Sequence, residues 1–190
     1  MNRFFLLIFI LFSIVPSFTL ASKPLVSVDW LKNKLATDNL IILDIRNKID
    51  NGGIEVFLKG HIPGSLHSDY IKDGWRVKRN NVIGLLPSEE EYIKLVNNLG
   101  INNEDHIVIV PAGVSSTDFG SAARVYWTFK VYGHKNLSIL DGGYAKWKSN
   151  YPNLIEINNL NRLPKSNYIV DYNKSITINS EDVYDIIKNG

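Results

Sequence analysis

Three short apolar runs, separated by segments of helical periodicity, constrain the fold of this chain more than any other feature. They lie at residues 40–43, 107–110 and 137–140. A nearly continuous apolar run of this length is typical of a strand that is buried on both faces. Because such strands alternate with helical segments, the sequence predicts an α/β domain at residues 22–150, with a parallel sheet flanked by helices on both faces.

The helical segments carry recognisable start and stop signals. Ser27 is placed to cap a first helix. Ser88 and Glu91 have the spacing of a capping box, and Gly100 is a typical stop. A second long helix is predicted at residues 118–132, ending at Gly133. Its predicted apolar side consists of Phe119, Ala122, Ala123, Tyr126 and Phe129.

Three loops follow the predicted strands, and in a parallel sheet such loops meet at one edge, where ligands bind. They contain Asp44 and Arg46, residues 111–117, and Asp141 with two glycines. The middle loop consists of Pro111, Ala112, Gly113, Val114, Ser115, Ser116 and Thr117. Free N–H groups before a helix form a cradle for an anion. The hydroxyl groups of this loop either bind such an anion or cap the helix.

Cysteine is absent from the chain, which excludes disulfides, cysteine-bound zinc and thiol chemistry. The net charge of +2 and the scattered basic residues argue against nucleic-acid binding. No metal or other cofactor is expected, because His61 and His67 lack zinc-ligand spacing. His61 is expected to hydrogen-bond within its turn, whereas His106 and His134 are expected to be solvated.

Four motifs, in a fixed order, resemble the rhodanese-like sulfurtransferases over about residues 25–155. They are GHIPGS at 60–65, LLPSEEEYIKLVNNLGINNEDHIVIV at 85–110, SAARVYWTFKVYGH at 121–134 and SILDGGYAKW at 138–147. The third is similar to a helix in the first domain of tandem thiosulfate and mercaptopyruvate sulfurtransferases. The resemblance implies a rhodanese-like fold.

In that family a cysteine at the start of the loop accepts a sulfane sulfur as a persulfide, and in tandem members only the second domain carries it. The matching position here is at or near Ala112. The resemblance therefore implies that residues 111–117 are a degenerate active-site loop and that this domain supports a catalytic one. Mercaptopyruvate-type members carry an acid and a histidine where this chain has Ile71 and Gly84, so no donor is assigned.

Five further residues are candidates for an interdomain cleft or for structural roles. Asp44 and Arg46 either contribute to the cleft or form an ion pair at the end of their strand. Arg124 is expected to pair with Asp44 or Asp141. Trp75 lies in a polar segment, and we expect it to cover the cleft.

The terminal segments indicate export and a second domain. Residues 1–21 have the charge, apolar run and small residues of a signal peptide cleaved after Ala21, which predicts a periplasmic protein without a membrane anchor. Residues 151–172 are interpreted as a linker. Residues 173–190 repeat the pattern found near residue 25 and are interpreted as the start of a truncated second rhodanese-like domain.

Two alternatives remain open at this stage. The chain is either the non-catalytic part of a sulfurtransferase or a stand-alone module that holds an anion or a protein in its empty loop. A weaker hypothesis is a hydrolase that uses Ser115 or Ser116, although the sequence places no base beside them.

Overall fold

Five parallel strands form the central sheet of the computed structural model, which describes residues 22–35 and 37–189. The predicted signal peptide, residues 1–21, lies outside the described residues. The strand order is β1-β7-β6-β2-β3. These strands span Leu25–Val26 (β1), Leu40–Asp44 (β2), Leu66–His67 (β3), His106–Val110 (β6) and Leu137–Leu140 (β7).

The sheet reverses its winding direction between β2 and β6. β2 pairs in register with β6, from Leu40 opposite His106 to Asp44 opposite Val110. From β2 the chain continues to its neighbour β3, and from β6 it continues in the other direction to β7. The carboxyl ends of β2 and β6 therefore lie at the point where parallel α/β sheets usually hold their ligands.

Alternate residues of each strand enter two separate cores, which explains why the strand sequences are apolar throughout. Ile41, Ile107 and Ile139 face one core together with the buried sides of two helices, α3 (Glu89–Leu99) and α4 (Ser116–Val131). Ile42 and Val108 face the other core together with α1 (Val28–Lys32) and α5 (Gly143–Asn150). The expected α/β arrangement, with helices on both faces of a parallel sheet, is confirmed.

The α-helices described in the sheet-forming part of the chain span Val28–Lys32 (α1), Ile54–Lys59 (α2), Glu89–Leu99 (α3), Ser116–Val131 (α4) and Gly143–Asn150 (α5). Of these, α1, α3 and α4 lie close to the predicted signals. The Ser27 cap and the capping box of Ser88 and Glu91 are both present. Gly100 ends α3 with a φ of 75°.

Three features differ from the sequence-based expectation. Helix α2 and an antiparallel hairpin of β4 (Val77–Arg79) and β5 (Val82–Leu85) are present where the sequence pattern predicts neither. The inner side of α4 is formed by Ala122, Val125 and Phe129, whereas Phe119 and Ala123 are exposed. Because α4 packs over both the sheet and the hairpin, periodicity alone does not define its buried face.

The predicted linker, residues 151–172, is not free, because much of the segment is bound to the domain. The Tyr168 side chain is buried in the core and contacts His134, with 2.8 Å between its hydroxyl and Nδ1. The Asn97 side chain accepts a hydrogen bond of 2.8 Å from the Tyr168 backbone N–H. Asn103 bonds both backbone groups of Ile169. We call residues 163–173 the strap.

Beyond the strap, the final helix α6 spans Ser180–Asn189, and every side chain described in it is exposed. Its exposed apolar residues include Tyr184, Ile186 and Ile187. In the part of the chain that the structure describes, no helix combines the length and the apolar character needed to cross a bilayer.

Candidate functional site

The loop that follows β6 is held rigidly between the sheet and helix α5. The backbone carbonyls of Pro111 and Ala112 accept hydrogen bonds of 2.9 Å from the N–H groups of Tyr144 and Ala145. These donors belong to the first turn of α5, where N–H groups have no partner within the helix. The start of the loop is therefore fixed by a neighbouring element, and Ala112 is 6% exposed.

The loop also approaches the turn after β7 closely. A Cβ atom on Gly113 would lie 2.0 Å from the carbonyl oxygen of Gly142, and one on Gly143 would lie 2.4 Å from that of Pro111. Both glycines have positive φ, 78° and 55°. Glycine is therefore required at both positions. An open hollow of about 240 Å³ is lined by both turns together with Asp118 and Phe119.

The N–H groups of this loop are bound to the carboxylate of Asp118. Its Oδ2 accepts hydrogen bonds from the N–H groups of Ser115 (2.7 Å) and Val114 (2.9 Å), and its Oδ1 accepts one from Gly113 (3.2 Å). In return, the N–H of Asp118 bonds the Ser115 hydroxyl, which completes a capping box. Asp118 is only 2% exposed. The cradle is thus occupied by a side chain of its own helix.

This arrangement changes the interpretation of the loop. The loop is not empty, because the three N–H groups that an external anion would bind already have a charged acceptor. Of the two roles expected for the hydroxyl groups, capping is confirmed for Ser115; all three residues, Ser115, Ser116 and Thr117, are exposed. Asp118 was not identified from the sequence, although the S-x-x-D spacing from Ser115 was a signal for it.

Beside the loop, Asp44 and Arg46 form the ion pair that was expected as one of two roles. The Arg46 guanidinium lies 2.7–2.9 Å from both carboxylate oxygens of Asp44, and both residues are buried. It also donates to the carbonyl of Gly60 at 2.9 Å and stacks on Tyr144 at 3.9 Å. The pair thus joins β2, the turn at Gly60 and helix α5.

Arg124 pairs with neither of its expected partners, since Asp44 is bound to Arg46 and Asp141 to Lys146 at 2.6 Å. Instead, its guanidinium donates to the carbonyl of Gly84 at 2.9 Å, which joins α4 to the hairpin. The sequence could not indicate this contact, because the hairpin itself was not predicted.

Trp75 does not cover a cleft. Its ring is fully buried against Phe129, with 5.1 Å between the ring centroids, and its indole N–H donates to the Ser68 hydroxyl at 2.9 Å. The expectation that this ring faces a second domain is therefore wrong. A large aromatic residue in a polar segment serves here as the apolar anchor of that segment.

The histidine rings contact groups away from the loop. The His61 ring was expected to hydrogen-bond within its turn, but its partners are Phe57 O in α2 and the distant Glu156; His67 contacts Arg46 O. His106 is half-buried and contacts Ser138, and His134 is buried, so the expectation that these two are solvated is wrong. None of these contacts places a histidine base at Ser115, whose hydroxyl instead lies 3.4 Å from the Asp118 carboxylate that caps the helix, so the hydrolase hypothesis gains no support from the histidines.

Glu156 anchors the start of the segment after α5 to the turn that contains His61. Its carboxylate accepts hydrogen bonds from the Gly64 N–H at 2.8 Å and from the amides of Asn159 and Asn161. Burial raises the pKa of Glu156, but these three hydrogen bonds and the nearby His61 outweigh burial and lower it to about 2. The carboxylate therefore remains charged throughout the ordinary pH range.

Comparison with known proteins agrees with this architecture. Thiosulfate/3-mercaptopyruvate sulfurtransferase 2 of Arabidopsis thaliana is 35% identical over 131 residues, which cover 67% of this chain and 36% of that protein. Thiosulfate sulfurtransferase of Bos taurus is 36% identical over 99 residues, which cover 50% of this chain and 31% of that protein. The chain thus spans about a third of these curated relatives.

A solved structure shares the fold of this chain. The crystal structure of SseA, a 3-mercaptopyruvate sulfotransferase from Escherichia coli, matches with a TM-score of 0.73 at 24% identity. The match covers 88% of this chain and 63% of that chain. Residues 27–150 match the model of the rhodanese-like domain, which includes the sheet, the loop after β6 and helix α5. The chain therefore belongs to the rhodanese-like domain family.

Proposed function

We propose that this chain is the N-terminal, non-catalytic part of an exported sulfurtransferase. The complete enzyme would move a sulfane sulfur from a donor such as thiosulfate to a thiophilic acceptor. Its persulfide-forming cysteine would lie in a second rhodanese-like domain. The curated relatives named above are sulfurtransferases of about three times the matched length, and this supports the proposal.

The observation that carries the proposal is the loop after β6. It has the strand, loop and helix arrangement in which the family places its cysteine, but the matching residue is Ala112 and its N–H groups are occupied by Asp118. Sulfur transfer needs a thiolate that takes the outer sulfur of thiosulfate, releases sulfite, and then passes that sulfur to an acceptor such as cyanide. This chain contains no thiol.

A second domain is supported by the apolar residues near the C-terminus. In the first domain, β1 is followed by a Ser27 cap and by α1, which packs against α5. Residues 179–189 repeat the cap and the helix of this order, with the Asn179 side chain accepting from the N–H groups of Glu181 and Asp182 at 2.8 and 2.9 Å. A helix of this kind needs an apolar partner, and among the described residues none covers α6.

The test is a comparison of two proteins in a thiosulfate–cyanide assay. We expect the 190-residue chain to form no thiocyanate above background. The gene should continue beyond codon 190 into a domain that carries a cysteine in the loop equivalent to residues 111–117, and that longer product should be active. Its variant with serine at this cysteine is the matched control and should be inactive. Thiocyanate formation by the short chain, or a stop codon after Gly190, would contradict the proposal and favour a stand-alone module.

Export to the periplasm is part of the same proposal. Ser22 would be the first residue after cleavage, and its hydroxyl is already fixed to β7: it donates to the Leu137 carbonyl at 3.0 Å and accepts from the Leu137 N–H at 2.8 Å. An N-terminus at this point is compatible with the folded edge of the sheet. Mass spectrometry of the exported protein should find Ser22 as its first residue, and an N-terminus that retains the apolar run would refute cleavage.

A further inference from the structure

The missing cysteine is not the only feature of the loop after β6 that opposes sulfur chemistry there. Its N–H groups at Gly113, Val114 and Ser115 converge on one point, as they would to hold an anionic sulfur, but the Asp118 carboxylate lies at that point. The same N–H groups cannot stabilise a second anion while they are bonded to the first. A carboxylate next to them also repels any further negative charge.

We infer that Asp118 is an internal anion that closes this loop to external anions and to a thiolate. The aspartate thereby keeps the domain from competing for the anionic donors and products of a sulfur-transfer reaction. Replacing Ala112 with cysteine would therefore not be enough to create a reactive thiol. The Asp118 carboxylate would also have to be removed. The closure of the loop stands whether or not a second domain follows, whereas its benefit to a sulfur-transfer reaction rests on the proposed function.

The physical reason lies in what lowers the pKa of a thiol. A cysteine at a helix N-terminus becomes a thiolate near neutral pH because backbone N–H groups and the helix dipole stabilise the charge, whereas an ordinary cysteine has a pKa of about 8.5. At Ala112 those N–H groups neutralise Asp118 instead. We therefore expect a cysteine there to have a pKa at or above the ordinary value, since the carboxylate repels the thiolate.

Other charged groups near this edge of the sheet stay unchanged when variants with and without the Asp118 carboxylate are compared. They are the buried pair of Asp44 and Arg46, the carboxylate of Asp50, and the exposed pair of Asp141 and Lys146. Because none of them is altered, a difference between variants with and without the Asp118 carboxylate reports the effect of that carboxylate.

The natural chain has no cysteine, so Ala112→Cys introduces a single thiol whose titration can be measured directly. We would compare this variant with Ala112→Cys/Asp118→Asn and Ala112→Cys/Asp118→Ala, using the pH dependence of alkylation by iodoacetamide and the ultraviolet absorbance of the thiolate. The asparagine variant removes the charge and keeps an acceptor, whereas the alanine variant also frees the N–H groups. We expect the thiol pKa to fall in that order, with alkylation at neutral pH at least about tenfold faster in the alanine double variant than in the single variant.

The matched control is Ala112→Cys/Asp141→Asn, which removes an exposed carboxylate from the neighbouring turn without touching the N–H groups of the loop. Its thiol should titrate like that of the single variant. Circular dichroism would establish that each variant is folded. A thiol pKa clearly below 8.5 in the Ala112→Cys single variant would overturn the inference. So would equal pKa values with and without the Asp118 carboxylate. The single variant decides the first point even if the double variants do not fold.

Discussion

His134 makes the stability of the domain depend on pH in a way that can be measured. The ring is 2% exposed and bonded on both sides, with 2.9 Å from Nε2 to the carbonyl of Asp105 and 2.8 Å from Nδ1 to the Tyr168 hydroxyl. A carbonyl only accepts, so Nε2 carries the proton and Nδ1 accepts from the tyrosine. Protonating Nδ1 would remove one of the hydrogen bonds that hold the strap on the core, beside those of Asn97 and Asn103.

Burial lowers the pKa of His134 from 6.5 to about 4, although its hydrogen bond to Asp105 opposes the shift. His134 is therefore protonated near pH 6.5 in the unfolded chain, but only near pH 4 in the folded chain. The contribution of His134 to stability is complete above pH 6.5 and is lost as the pH falls through 4. Since one pKa unit corresponds to about 1.4 kcal/mol, the titration of His134 alone should lower the free energy of unfolding by about 3 kcal/mol between pH 7 and pH 4.

Urea unfolding followed by circular dichroism at about pH 7, 5.5 and 4 would measure this effect in the natural chain and in His134→Gln. Glutamine keeps a donor and an acceptor but does not titrate. Between pH 7 and pH 4, we expect the free energy of unfolding to fall by about 3 kcal/mol less in the variant than in the natural chain, whatever the stability of the variant at pH 7. His106→Gln is the matched control and should have a smaller effect, because His106 is only half-buried. Equal pH dependence of the natural chain and His134→Gln would refute the reasoning.

Three further predictions concern the surroundings of the loop. Arg46→Leu leaves Asp44 buried without its counter-ion and should reduce the free energy of unfolding by about 3–5 kcal/mol. The double variant Asp44→Leu/Arg46→Leu should lose less of this free energy. Urea unfolding of the two variants measures both losses, and equal losses would contradict the prediction. The pKa of Glu156 is about 2 in the folded chain, below its ordinary value of 4.5. Glu156 should therefore stabilise the fold fully above pH 4.5 and lose this effect as the pH falls toward 2. In Glu156→Gln, the free energy of unfolding should depend less on pH in that range. Gly113→Ala should lower the melting temperature, because the new Cβ meets the backbone of the next turn at 2.0 Å. The control Gly120→Ala, on an open helix surface with nothing within 4 Å, should raise the melting temperature slightly, and similar effects at both glycines would contradict this prediction.

Features that depend on neighbouring residues could be predicted from the sequence. The three long strands follow from apolar runs that must be buried on both faces, and the caps at Ser27 and Ser88 bond N–H groups within three residues. Gly64 has the positive φ that its turn requires, 77°. The pair of Asp44 and Arg46 also belongs to this class, since the two residues are two positions apart.

Features that depend on distant contacts could not be predicted in this way. Trp75 is buried because α4 covers the polar segment, and Arg124 bonds a hairpin 40 residues away in the sequence. His134 is buried because the strap returns and places Tyr168 over it. Neither hydrophobic periodicity nor residue type contains information about these partners, since each contact exists only after the sheet has formed.

The sequence by itself determined that the loop after β6 has no thiol, because covalent chemistry depends only on which residues are present. It also determined the alternation of strands and helices, which follows from local apolar patterns. The S-x-x-D spacing also signals the local capping contact between Ser115 and Asp118. Only the tertiary structure showed that the N–H groups of Gly113 and Val114 bond the same carboxylate, because α5 and the turn after β7 fix the path of the loop through contacts between distant parts of the chain.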